Sequence, residues 1–124
     1  MQSENIFIQK SFNFAVNIVR FCNSSNNNYQ QNILNKQLLR SGTAVGALIR
    51  EAQNAESKAD FIHKLAISQK ECDESCYWLE ILNKTNMIDD LVYKNLHFEA
   101  SSLLKLIRSA IVTTKSKMKN KEYL

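Results

Sequence analysis

Apolar residues return along this chain at spacings of three and four, the signature of helices that bury one side. Over residues 4–23 the positions Ile8, Phe12, Ala15, Val19 and Cys22 form one such stripe, with Phe7, Phe14, Ile18 and Phe21 beside it. The face is wider than one seam of a bundle needs. It ends in Asn23, Ser24, Ser25, Asn26, Asn27 and Asn28, side chains that hydrogen-bond nearby backbone and favour a loop. Residues 30–54 repeat the pattern with Leu34, Leu38, Ser41, Val45, Leu48 and Ala52. The neighbouring stripe, Ile33, Gln37, Arg40, Ala44, Ala47 and Glu51, is small in the middle and charged toward its ends. Gly42, Thr43, Ala44, Gly46 and Ala47 carry little bulk, so another helix is expected to approach closely there.

Ser57 reads as an N-cap answered by Asp60 in an imperfect capping box, opening a helix over 58–83. Its stripe is Phe61, Leu65, Ser68, Cys72, Ser75, Leu79 and Leu82. After Lys84, Thr85 and Asn86, Asp89 or Asp90 suits the positive end of a last helix over 88–118, with Leu96, Ala100, Leu103, Ile107, Ala110 and Thr114 inward. That helix is expected to fray near Met118. Proline is absent and glycine occurs only twice, so the turn punctuation of strands is missing. The expected fold is all-α, an antiparallel up-down-up-down four-helix bundle, and 124 residues suit a single domain over 1–124.

Charges inside apolar stripes sharpen this picture. If the second and third helices run antiparallel about a turn at 54–57, Arg40 comes level with Glu71 and Glu74, and Glu51 comes within reach of Lys64. A guanidinium fork matches carboxylates, so these residues are expected to form ion pairs that fix helix register. Glu71 and Glu74 also admit a reading as an acid–base pair or as metal ligands. A di-iron bundle, however, needs Glu-x-x-His on two helices. Here Asp60-x-x-His63 is the sole approximation, and Lys94 stands three residues before His97. Cys72 and Cys76, one turn apart, lack two further ligands, and Cys22 has no base beside it. No metal, cofactor or catalytic residue is expected.

The net charge of +4 is unevenly spread. From residue 105 onward stand Lys105, Arg108, Lys115, Lys117, Lys119 and Lys121 against Glu122 alone. The four lysines alternate, so they are expected to encircle a helix or to form a flexible polycationic tail. Either arrangement suits salt-sensitive, sequence-tolerant contact with RNA or DNA phosphates, and a plain solvated terminus remains the other reading. No apolar run is long enough to span a membrane and no signal peptide is visible, which with three unpaired cysteines points to the cytoplasm.

The run Arg40-Ser-Gly-Thr-Ala-Val-Gly-Ala-Leu-Ile-Arg-Glu-Ala52, then Ala55 to Phe61 and Lys70 to Leu79, resembles the bacterial four-helix bundle proteins encoded in 23S ribosomal RNA intervening sequences. Arg40, Glu51, Glu71 and Glu74 match that family's charged landmarks, and Gly46 and Trp78 its packing ones. Where the family commonly has Asn before Ile-Arg-Glu, this chain has Leu48. The same broad family includes the accessory variability determinant of diversity-generating retroelements, a basic pentameric bundle that works with a reverse transcriptase. The resemblance therefore implies a non-enzymatic homo-oligomer, with a pentamer as the precedent and RNA, DNA or a reverse transcriptase as partner. A structural or protein-interaction module without nucleic-acid binding is the competing reading, supported by the broad apolar face of the first helix.

Overall fold

The computed structural model describes the backbone of residues 2–25 and 28–122 and the side chains of residues 6–25 and 28–119. Asn26 and Asn27 of the expected loop, and the side chain of Lys121, lie outside the described residues. Four helices follow in chain order: α1 (Gln2–Ser24), α2 (Tyr29–Gln53), α3 (Lys58–Lys84) and α4 (Asp90–Glu122). Each packs against its neighbour in sequence, and α4 closes the ring on α1, giving the up-down-up-down bundle.

Local chemistry fixes the corners. Asn28 caps α2, its side-chain oxygen accepting the Gln31 N–H at 2.8 Å. Ser57 caps α3 by accepting from the Asp60 N–H at 3.0 Å. Asp60 Oδ2 answers one residue earlier than a capping box would, at the Glu56 N–H. The far end of α3 closes in a Schellman motif: Met87 N–H donates to Leu82 O and Asn86 N–H to Asn83 O, with Asn86 left-handed at φ 57°. Gln31 Nε2 donates to Met87 O at 2.8 Å, tying the start of α2 to this turn.

The core is built from Leu38, Val45, Ile49, Leu65, Cys72, Leu79, Leu82, Leu103 and Ile107 together with one side of α1. That side differs from the expected one. Phe7, Ser11, Phe14, Ile18 and Phe21 are buried, whereas Phe12 and Val19 are exposed. The cause lies in α2. A Cβ at Gly42 would stand 3.0 Å from Ile18 Cγ1, and one at Gly46 would stand 3.3 Å from the Ser11 carbonyl oxygen. Gly46 admits α1 at near-backbone contact where α1 offers the small Ser11, and Gly42 leaves room for Ile18 one pair of turns further on. Phe12 is thereby turned to the rim of the seam, beneath the Arg50 guanidinium.

Buried hydroxyls join α2 to α3. Ser75 Oγ donates to Ser41 Oγ and Ser68 Oγ to Val45 O, both at 2.9 Å. Because these groups are satisfied, they cost little and hold the two helices in one register.

Candidate nucleic-acid interface

Two sets of charged residues stand out, and they occupy different parts of the bundle. The first joins α2 to α3. Arg40 Nη1 lies 3.1 Å from Glu71 Oε1, and Arg40 Nη2 contacts Glu74 Oε2. Trp78 Nε1 donates to the same Glu74 oxygen at 3.2 Å. Lys64 Nζ stands 3.5 Å from Glu51 Oε1. With half of the Arg40 side chain exposed, the cluster is a surface clamp rather than a semi-buried pair, contributing about 1 kcal/mol or less per pair. The guanidinium engages one oxygen of each carboxylate and the indole shares the Glu74 oxygen, the arrangement of an ion pair that links the two helices.

The cysteines are chemically quiet. Cys72 Sγ donates to Ala100 O at 3.3 Å, and burial pushes its thiol up to about 12. Burial likewise lifts Cys76 and Cys22 to about 11. Among the described residues no group of three or more His, Cys, Asp or Glu side chains is arranged to hold a metal ion. No helix among them is long and apolar enough to cross a membrane.

The second set lies on α4, which at 33 residues is longer than α1, α2 and α3 at 23, 25 and 27. Asn17 Nδ2 of α1 bonds both carboxylate oxygens of Glu99 at 3.1 and 3.2 Å. By that antiparallel register the start of α1 stands level with about residue 114 of α4, so the last turns of α4 run beyond α1. The expected fraying at Met118 does not occur; the helix continues to Glu122. Lysines favour this end, because cations complement the negative pole of the helix.

Helical continuation sorts the basic residues. At 3.6 residues per turn, Lys105, Arg108, Lys115 and Lys119 fall within an arc of about 80° on the outer face, and all four are exposed. The four alternating lysines do spread around the axis, and two of them fall in line with basic residues of the preceding turns. Half of them join Lys105 and Arg108 in one stripe. Lys117 points elsewhere, lining a cavity of about 320 Å³ with Phe7, Gln53, Phe61 and Thr114 at the seam between α4 and the rest of the bundle. Lys121 belongs to the helix, but its side chain is outside the described residues.

Within the stripe the cations are little engaged. Arg108 Nη2 is 3.9 Å from Asp73 Oδ1, at the edge of an ion pair, and Lys105 and Lys115 meet no carboxylate among the described residues. Ser109 and Ser116 on the same side are exposed and add hydroxyl donors. Cations and hydroxyls along one rigid helix are the donor set that phosphate backbones take. Two exposed apolar side chains, Phe98 and Val112, share this face. The sequence pattern treated α4 by its inward stripe and passed over both.

Comparison with known proteins gives this arrangement a context. The family described as 23S rRNA-intervening sequence protein matches residues 3–109. Among solved structures, the chain is similar to a protein with unknown function from the S23 ribosomal protein family of Bacteroides thetaiotaomicron. The two are 42% identical with a TM-score of 0.83, over 88% of this chain and 97% of that one. No curated protein matches. The matched segment holds the α2–α3 clamp, Lys105 and Arg108, and stops short of Lys115.

Proposed function

The chain belongs to the 23S rRNA-intervening sequence protein family, and from that premise we propose that it is a non-enzymatic bundle that binds RNA or DNA through the outer face of α4. The observation that carries this reading is the arc formed by Lys105, Arg108, Lys115 and Lys119, exposed and, among the described residues, met by a carboxylate only at Arg108. Four ammonium and guanidinium groups on a rigid rod release counterions from a phosphate backbone without reading base sequence. Contact at four phosphates of a B-form duplex gives a logarithmic salt slope of about −3.6.

The test is a gel shift of structured RNA and of duplex DNA at rising salt, with Lys115→Ala/Lys119→Ala alongside. The double substitution is expected to weaken binding to every sequence and to flatten the salt slope by about two units. Absence of a shift at low salt, or a double variant that binds as the parent does, refutes the proposal.

Self-association belongs to the same proposal. Tyr29, Ile33 and Tyr77 are exposed on α2 and α3, the helices that carry the family landmarks. That apolar surface favours a homo-oligomer, for which a pentamer is the precedent, and sedimentation mass decides it. It equally favours the second reading, a protein-interaction module. That reading gains if the protein assembles or captures a protein partner yet leaves RNA and DNA unshifted.

A further inference from the structure

The seam between α1 and α4 is the least closely packed of the four between neighbouring helices. It opens into two adjoining cavities of about 190 and 430 Å³ that share Glu99 in their walls. Lys10, Asn13, Phe98 and Ser102 surround the first; Arg20 and Asn95 help to form the second. Lys10 and Arg20 lie about 15 Å apart along α1. Phe98 stands at the rim with 72% of its surface in water. A phenyl ring this exposed contributes little to the bundle, and it sits on the same outer face as Lys105, two turns along.

We infer that this groove, extending the basic face of α4, holds a single-stranded segment of nucleic acid with a base stacked on Phe98 and phosphates at Lys10, Arg20 and Lys105. The inference rests on the nucleic-acid reading above and narrows it from phosphate contact in general to unpaired strands. Three features separate a single strand from a duplex. A base inside a duplex is covered on both faces by its neighbours, so a solitary exposed ring has no partner there. Unpaired bases also present Watson–Crick edges, which the Asn13 and Asn95 amides match in both donors and acceptors. A positively charged groove with an aromatic platform is the recurrent solution for unpaired strands of either sugar.

Among the described residues Glu99 is the only carboxylate lining the two cavities, and it does not oppose this arrangement. The Asn17 amide engages both of its oxygens, and Lys10 and Arg20 line the same two cavities, so their described walls carry two cations against one carboxylate. The groove and the lysines beyond Ser109 then have separate tasks. The lysines supply attraction to any phosphate chain, and the groove selects for strands whose bases are free.

The experiment is fluorescence anisotropy with labelled oligouridylate, oligothymidylate and a short DNA duplex, on the full chain and on Phe98→Ala and Lys115→Ala/Lys119→Ala. Phe98→Ala is expected to weaken both single strands about tenfold, within the range that one base–aromatic stack sets, and to leave the duplex unchanged. The lysine variant is expected to weaken all three probes. Equal loss for uridylate and thymidylate identifies stacking as the common element, whereas loss for one alone assigns the groove to RNA or to DNA. A Phe98→Ala protein that retains its helical circular dichroism and binds single strands like the parent overturns the groove while leaving the basic face intact. A parent protein that prefers the duplex overturns it as well. Failure of all three probes at low salt removes the nucleic-acid reading itself. Because Phe98 is a surface residue, the substitution does not threaten the fold, and Phe98→Trp supplies a second check by retaining affinity.

Discussion

Gly42→Ala tests the feature that sets the side α1 presents to the core. On propensity alone the substitution is favourable, since alanine gains about 1 kcal/mol over glycine within a helix. Packing opposes it. The new methyl would stand 3.0 Å from Ile18 Cγ1 and 3.2 Å from Ile18 Cγ2. Ile18 has no exposed surface into which to retreat. Overpacking of this kind costs about 1–3 kcal/mol, so the net expectation is a protein about 1 kcal/mol less stable than the parent by urea unfolding, read as a lower midpoint at unchanged slope. A double-mutant cycle isolates the cause. Ile18→Ala alone should cost about 2–5 kcal/mol by leaving a cavity. In the Gly42→Ala background it should cost at least about 1 kcal/mol less, because truncation removes both γ carbons and the new methyl fills part of the void. Ile18→Val keeps both γ carbons and should bring no such relief. At Gly46 the opposing atoms include the Ser11 backbone carbonyl, so Gly46→Ala should be rescued only in part by Ser11→Gly. A Gly42→Ala protein more stable by the full propensity gain, with Ile18→Ala additive upon it, would show that α1 does not sit on these glycines.

Two further expectations concern titration. Burial, offset in part by the Asn17 amide, raises the Glu99 pKa, so the fold favours the protonated acid: that stability is present below about pH 4 and is lost as pH rises through the folded value. Glu99→Gln should therefore raise the melting temperature at neutral pH and hardly change it in acid, and an equal effect at both pH values refutes the account. For the thiols, Cys72 at about 12 and Cys22 and Cys76 at about 11 stay protonated up to strongly alkaline pH. A disulfide reagent at about pH 8 should label native protein slowly and all three cysteines in guanidinium; because the shifts are upward, the stability they contribute is complete below the usual thiol pKa and falls as pH climbs toward 11–12.

Where the sequence succeeded and where it misled has one physical origin. On α3 a single narrow stripe is apolar, and Leu65, Cys72, Leu79 and Leu82 are buried as the spacing of three and four requires. On α1 more than half the circumference is apolar. Periodicity then offers two stripes and cannot choose between them, because the choice depends on what α2 presents opposite. Gly42 makes that choice by accepting Ile18, and Gly46 by accepting Ser11, a polar residue that a search for apolar positions discards. The argument for an oligomer changes accordingly. Phe7, Phe14, Ile18 and Phe21, wider than one seam needs, are consumed by the bundle, and the exposed apolar surface among the described residues includes Phe12, Tyr29, Ile33, Tyr77, Leu91, Phe98 and Val112.

The same reasoning explains the basic end of the chain. Alternate lysines look dispersed when judged against each other, since successive members point to opposite sides of a helix. Judged against the turns before them they are not dispersed, because Lys115 and Lys119 continue a line begun by Lys105 and Arg108. What had to be known was whether the helix persists past Met118, and local propensity alone does not decide this. Persistence follows from a favourable dipole end and from inward positions at Ile107, Ala110 and Thr114 that keep the rod seated on the bundle until its last turns. A stripe of charge on a rod that stays helical through its last turns can meet a phosphate chain along its length. The same lysines on a flexible tail would meet it only by surrendering chain entropy at each contact.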